Sequence, residues 1–228
     1  MGLFDKFKKE NKTEKAFTTE IQNEIEEALF FVIHSGYYSN EEMLEQAQQI
    51  FEDVCLYDYN VPPPTAEYIE QTVKLLISCT PKISGKSNYI RLREIFDKLN
   101  KERIIAVDFA GYTMSDGHSD VGQVFAFMKE NNIPRRGYCF YHQQDIERAI
   151  DKSIQFLHLA FHSMNDDKKI AVEIGERIVE LLTESGFEVE WDKNPDTRIK
   201  INNFEWDKIY DGEDYGIDRA IRIMSNLK

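Results

Sequence analysis

The sequence predicts an α/β protein in the broad α+β sense, with a mixed sheet of four to five strands flanked by helices and preceded by an N-terminal helical unit. Apolar residues near the start of the chain recur at helical spacing, whereas later short apolar runs of strand length alternate with helical patterns. Alternating strands and helices imply a sheet covered by helices. We therefore divide the chain into a flexible basic N-terminus (1–15), an acidic helical unit (16–80) and an α/β domain (88–228).

Composition excludes several classes of protein. The 228 residues include 15 Phe, 11 Tyr and 2 Trp, too much aromatic material for a disordered chain. Only 11 Gly and 6 Pro are present, which excludes a collagenous or low-complexity chain. The formal net charge is −13, so no basic field exists to hold a nucleic acid backbone, and we expect no nucleic acid partner.

Cysteine usage and hydropathy predict a cytoplasmic protein. The first ten residues lack the apolar core of a secretory signal, and no apolar run is long enough to span a membrane. Cys55, Cys79 and Cys139 are few, widely spaced and odd in number, which is typical of reduced thiols rather than a disulfide framework or a zinc site. We expect no metal and no cofactor.

The negative charge is concentrated in one stretch. Residues 16–73 contain twelve acidic side chains and no Lys or Arg, whereas residues 1–15 contain five Lys among Leu3, Phe4 and Phe7. The acidic face can serve solubility, docking of a basic partner, mimicry of a nucleic acid, or contact with the rest of the chain or another copy. The basic segment is either a frayed, solvated terminus or a short amphipathic stretch that touches anionic lipid.

The helices of the acidic unit are predicted from their start and stop signals. Ser39 and Glu42 form a capping box, as do Thr19 and Gln22, and Gly36 is a plausible stop between the two helices. A third helix follows the three prolines at 62–64 and is capped by Thr65.

From residue 88 onward, strands and helices alternate. After a linker at 80–88, Ser87 caps a helix, Asp166 or Asp167 caps another that Gly186 ends, and a closing helix covers about 216–226. The final two strands are joined only by a turn and must be antiparallel. The predicted strands are Ile104–Phe109, Gly137–Tyr141, Ser153–Phe161, Phe187–Trp191 and Arg198–Ile201.

The first cluster of functional residue types is a predicted polar loop, Ala110 to Ser119, between a strand and a helix. It offers hydroxyls, the Asp116 carboxylate and the His118 imidazole at a sheet edge, where ligands bind in open α/β sheets. The alternative is plain helix capping by Ser115, Asp116 or Ser119, with Gly117 supplying a turn. The glycine spacing fits neither a Walker loop nor a dinucleotide fingerprint.

The second cluster follows the next strand and contains His142 and Asp145. If the two strands are parallel, these side chains emerge at the same sheet edge as Asp116, where they can form a general acid/base pair or a metal site. The alternative is that Asp145 lies in the first helical turn and His142 caps it. Cys139 lies mid-strand between aromatic residues, where a thiol is inert.

Four further positions have a predicted structural role. His158 and His162 are four apart on a strand, roughly 13 Å, too far to share one ion. Trp191 is expected in the core and Arg198 beside a carboxylate, although either can also line a pocket wall.

Three motifs in order resemble an uncharacterised bacterial family, a domain of unknown function. They are AGYTMSDG, RGYCFYHQQDIERAI and GFEVEWDKNPDTRIKI, which are similar to GYTxSDG, GYCFYHxQDxERA and VEWxGxPxxRI over about residues 88–206. No activity is known for this family, so the resemblance implies a shared site but assigns it no role. The family position that corresponds to His118 is variable. Its signature positions are Tyr112, Ser115, Asp116, Gly117, Tyr138, His142, Gln144, Asp145, Trp191 and Arg198.

Two functions remain open from the sequence. The first is a non-enzymatic bacterial protein whose α/β domain binds a partner or small ligand, with a basic partner contacting residues 16–73. The second is a small hydrolase or transferase with Asp116, His142 and Asp145 as candidate catalytic residues. The sequence shows no nucleophile with a base and a third residue to orient that base, and no spacing typical of metal ligands, so we favour the first function. The oligomeric state stays open.

Overall fold

A computed structural model describes residues 18–78 and 87–227. The chain forms two compact units, Met1–Lys82 and Ile83–Lys228. The basic segment 1–15, Cys79 and most of the predicted linker at 80–88 lie outside the described residues. Among the helices of the described residues, none is long and apolar enough to cross a membrane.

In residues 18–78, the described part of the first unit, the chain forms three α-helices and one π-helix. α1 (Thr19–His34), α2 (Asn40–Glu52) and α3 (Ala66–Ser78) are joined by short connections, and α2 continues directly into the π-helix Asp53–Asp58. Their apolar stripes form one core, whose fully buried members include Ile25, Ala47, Phe51 and Cys55. The sequence did not predict the π-helix.

The capping residues of these helices act locally, which is why the sequence predicts them well. The Ser39 backbone N–H donates to Glu42 Oε2 at 2.7 Å, and Glu42 N–H donates to Ser39 Oγ at 3.1 Å, which confirms that capping box. Gly36 follows α1 with φ of 72°, as the stop signal predicts. The predicted cap at Thr19 is wrong by one residue, because the Thr18 hydroxyl accepts from Ile21 N–H.

The second unit alternates helices and strands around one sheet. Its elements, in chain order, are α4 (Asn88–Lys101), β1 (Ile104–Val107), α5 (Met114–Glu130), β2 (Gly137–Phe140), α6 (Gln143–Ile150), β3 (Leu157–Ser163), α7 (Lys168–Glu184), β4 (Glu188–Glu190), β5 (Ile199–Asn202) and α8 (Ile217–Ser225).

The sheet is mixed, as predicted, and has five strands in the order β1-β2-β3-β5-β4. β1 and β2 are parallel, and every other neighbouring pair is antiparallel. β5 lies between β3 and β4, with His158 opposite Lys200 in the β3–β5 register. That insertion brings the start of β5 beside the middle of the sheet.

Helices cover both faces of the sheet. α5 and α8 pack with Ile105, Val107 and Phe140 in one core. α7 lies against the opposite face, where a Cβ built on Gly137 would lie 2.3 Å from Ile174 Cδ1. The β1 strand is therefore buried along its whole length, which explains its continuous apolar run.

Two predicted boundaries are wrong by about four residues or more. The polar stretch expected to be a loop through Ser119 is helical from Met114, because Thr113 precedes the helix and its N–H and hydroxyl donate to Asp116. The third strand begins at Leu157 rather than Ser153, because Ser153 lies in a turn in which its N–H and hydroxyl donate to Asp151 Oδ1.

Candidate functional site

The loops after β1 and β2 lie side by side at the same edge of the sheet. Since β1 and β2 are parallel, their carboxyl ends meet there. The Ala110 N–H donates to the Tyr141 carbonyl at 2.8 Å, and the Gln143 N–H donates to the Gly111 carbonyl at 3.0 Å. These backbone hydrogen bonds join the loop after β1 to the loop after β2 and place the start of α6 beside the ends of both strands.

A buried carboxylate at the start of α6 organises this edge. Asp145 is only 1% exposed, and its Oδ1 accepts from Arg198 Nη1 at 2.9 Å and from Arg148 Nη1 at 3.1 Å. Its Oδ2 lies 3.2 Å from His142 Nε2. One buried carboxylate therefore fixes two guanidinium groups and one imidazole, and we call these residues, together with His158, the Asp145 cluster.

Within the cluster, His142 is buried and only 3% exposed. Burial lowers the pKa of His142, and the charges of Arg198 and Arg148 act in the same direction while Asp145 opposes them. Among the described residues, its buried Nδ1 has no hydrogen-bond partner. Such an atom is rare, because an unsatisfied buried polar group costs about 1–3 kcal/mol.

His158 completes the cluster from β3. Its Nδ1 lies 3.2 Å from Arg198 Nη2 and 4.0 Å from Asp145 Oδ1. Burial and the nearby Arg198 charge lower the pKa of His158 to about 4, so the ring is neutral at pH 7. A neutral Nδ1 accepts the guanidinium N–H, so this side chain orients Arg198.

Asp116 is not a member of the cluster. Its Oδ2 accepts from the Thr113 N–H and hydroxyl, both at 2.9 Å, and these bonds hold the pKa of Asp116 below its usual range. The carboxylate is exposed and acts on His142 only through its charge. Asp116 therefore caps α5, as the structural alternative for this loop predicted.

Gly117 does not supply the turn that was predicted for it, but allows α5 to pack closely against Phe140. It is buried inside α5, and a Cβ built there would lie 2.2 Å from Phe140 Cε2. Ser115 is exposed in the first turn of the same helix, and Tyr112 is 51% exposed just before it.

The remaining candidate residues are not members of the cluster. The Gln144 carbonyl accepts from Arg148 Nη1 at 3.0 Å. Tyr138 stacks on Phe140. Trp191 is half-buried, packs edge-on against Phe161 and donates from Nε1 to the Asn194 carbonyl at 3.0 Å.

A second buried polar group was missed by sequence reasoning. Asp108 directly follows β1, is 4% exposed, and accepts hydrogen bonds from the hydroxyls of Tyr89 and Tyr141. The ammonium of buried Lys208 lies 4.7 Å from the Tyr89 ring centre and 5.0 Å from that of Tyr215. The position of Asp108 directly after a buried parallel strand could have indicated a buried carboxylate. The residues around Lys208 in the sequence give no indication that its side chain is buried.

Arg148 was also missed as a member of the Asp145 cluster, although its spacing of three from Asp145 on a helix was a signal. Arg198 does lie beside a carboxylate, as the sequence predicts.

The side chains at this edge differ in how far they reach solvent. Cys139 is fully buried, and burial raises the pKa of its thiol. Within residues 18–78 and 87–227, no three His, Cys, Asp or Glu side chains are grouped so as to hold a metal ion. In contrast, the side chains of Arg148, Arg198 and His158 are 37%, 30% and 23% exposed, so they reach solvent.

A family model described as a domain of unknown function (DUF6891) matches residues 18–210. The chain belongs to this family. The matched DUF6891 region extends well before residue 88, so it includes the described part of the acidic helical unit as well as the sheet. Neither a curated protein nor a solved structure gives a significant match.

Proposed function

We propose that the α/β unit of this DUF6891 protein is a non-enzymatic binding domain for an anionic group, a carboxylate or phosphate, held by Arg148 and Arg198. The observation that carries the proposal is the buried Asp145 that fixes both guanidinium groups at a sheet edge while each reaches solvent. Guanidinium forks recognise carboxylate and phosphate through paired N–H donors.

The charge balance of the cluster supports an anion. Two guanidiniums and one carboxylate leave one positive charge, because burial keeps the pKa of His142 and of His158 low. The α6 N-terminus lies at the same place and adds a partial positive charge. Because Asp145 orders the arginine side chains in advance, less conformational entropy is lost when a ligand binds.

The alternative, a small hydrolase or transferase using Asp116, His142 and Asp145, has less support. Asp145 is enclosed by its own ion pairs, and Asp116 is held by Thr113. A general acid or base must reach the proton that it transfers. The exposed groups of the cluster are instead suited to binding.

The acidic unit suits a basic protein partner, and we place the protein in a bacterial cytoplasm. Twelve acidic residues without any Lys or Arg in residues 16–73 give a field that attracts cations. Cys55 and Cys139 are free and buried, as reduced thiols in a reducing compartment are.

The test of the anion site is thermal unfolding of the full chain with inorganic phosphate or with citrate, at constant ionic strength. We expect each probe that binds to raise the melting temperature in wild type and to lose that effect in Arg148→Gln. Arg177→Gln is the matched control, because Arg177 pairs with Glu102 and Glu180 instead. Equal ligand-induced shifts in both variants, or none in wild type, would overturn the proposal.

A further inference from the structure

The π-helix of the first unit presents an exposed apolar pair inside an acidic surface. Leu56 is 45% exposed and Tyr57 is 81% exposed. Both belong to a π-helix, an element frequently found at functional sites. Asp53 and Asp58 flank the pair and are exposed, and we call these four residues the Tyr57 surface.

This surface lies beside the beginning of α1. The Tyr59 hydroxyl donates to Glu24 Oε2 at 2.6 Å, which joins the end of the π-helix to the second turn of α1. This hydrogen bond, together with burial and the charges of Glu24, Glu20 and Asp58, raises the pKa of Tyr59 to about 12. Negative charge is therefore concentrated at this end of the unit.

The segment that precedes α1 has the complementary chemistry. Residues 1–15 contain five Lys, and the apolar side chains of Leu3, Phe4 and Phe7 recur at helical spacing. Only residues 16 and 17 separate the segment from Thr18, the cap of α1. Glu24 lies about 9 Å along the helix axis from that cap, at about 1.5 Å per residue. The segment is thus attached next to the surface that matches it.

We propose that residues 1–15 bind in cis to the Tyr57 surface, with Leu3, Phe4 and Phe7 against Leu56 and Tyr57 and the lysines facing the carboxylates. Tethering makes a weak contact sufficient, because a short linker gives an effective concentration in the millimolar range. The segment then contacts the Tyr57 surface of its own chain.

The experiment is hydrogen exchange of the full chain, measured by mass spectrometry on peptides covering residues 3–15. At low salt we expect exchange about fivefold slower than in an unprotected peptide, as for a state occupied about 80% of the time. The double variant Leu56→Ser/Tyr57→Ser is expected to lose this protection. Ile209→Ser, which changes an exposed apolar residue of the other unit, is the control that keeps it.

Charge is tested separately from the apolar contact. Lys8→Gln/Lys9→Gln/Lys12→Gln is expected to accelerate exchange over residues 53–58, and high salt is expected to do the same in wild type because it screens the charges. Circular dichroism checks that each variant keeps its helices.

Four results would overturn the proposal. They are unprotected exchange of residues 3–15 in wild type, protection unchanged in Leu56→Ser/Tyr57→Ser, protection that rises with protein concentration and so reports a second copy, and protection that requires phosphatidylserine vesicles.

Discussion

Replacing Asp145 by Asn tests whether the buried carboxylate stabilises the α/β unit. The change keeps the shape of the side chain but removes the charge that faces Arg198 at 2.9 Å and Arg148 at 3.1 Å. Breaking a buried ion pair costs about 3–5 kcal/mol. Because both guanidiniums are about a third exposed, solvent screens part of this loss, and we expect about 3 kcal/mol.

The chain supplies a matched control for this change. Asp116 occupies the same third position of its helix and accepts from the N–H of the residue before the helix, as Asp145 does, but Asp116 is exposed and has no arginine partner in the described residues. Asp116→Asn keeps an oxygen that accepts this N–H and removes only the carboxylate charge in the first helical turn, which is worth up to about 1 kcal/mol.

The assay is urea unfolding followed by tryptophan fluorescence. Both tryptophans of the chain, Trp191 and Trp206, lie in the second unit, so the signal reports that unit. The free energy of unfolding of Asp145→Asn is expected to fall about 2 kcal/mol further than that of Asp116→Asn. Equal losses in the two variants would show that the ion pairs add nothing and would refute the reasoning.

Three further predictions concern packing, pH and the second buried carboxylate. Gly117→Ala should cost about 1–3 kcal/mol of unfolding free energy through overpacking, whereas Gly122→Ala, with no atom near its Cβ, should be neutral or stabilising. In the folded protein the pKa of His158 is lowered to about 4, so the contribution of His158 to the free energy of unfolding is complete above about pH 6.5 and is lost as pH falls towards 4. His158→Gln should therefore flatten the dependence of stability on pH between these values. An unchanged slope would contradict this prediction. In the same urea assay, Asp108→Ala should lower the free energy of unfolding more than Tyr89→Phe does. Asp108→Ala removes the acceptor of two buried hydroxyls, those of Tyr89 and Tyr141, at about 1–3 kcal/mol each. A smaller loss for Asp108→Ala than for Tyr89→Phe would argue against this.

Elements of the fold that depend on neighbouring residues were predictable. The Ser39–Glu42 capping box and the stop at Gly36 involve groups within a few residues, so the sequence contains all of their partners. The mixed sheet follows in the same way from alternating strands and helices. The start of α5 was missed because Thr113, Ser115 and Asp116 are all good capping residues, and the sequence alone did not indicate which of them precedes the helix.

The candidate site was predictable only in part. The two loops were identified from their residue types, but Arg148, His158 and Asp108 were not among the candidate site residues. His158 was assigned a structural role, and its contact with Arg198 spans forty residues of sequence. Asp108 was read as part of a strand, and its partners Tyr89 and Tyr141 come from different elements.

By itself, the sequence determined the order of helices and strands, most helix starts and the placement of negative charge in residues 16–73, because these depend on local hydrogen bonds and on composition. Only the tertiary structure decided that Arg198 meets Asp145. That contact requires β5 to pair with β3 inside the sheet rather than at its edge. Strand order is set by how buried surfaces fit over long sequence separations, and no short window of sequence contains that information.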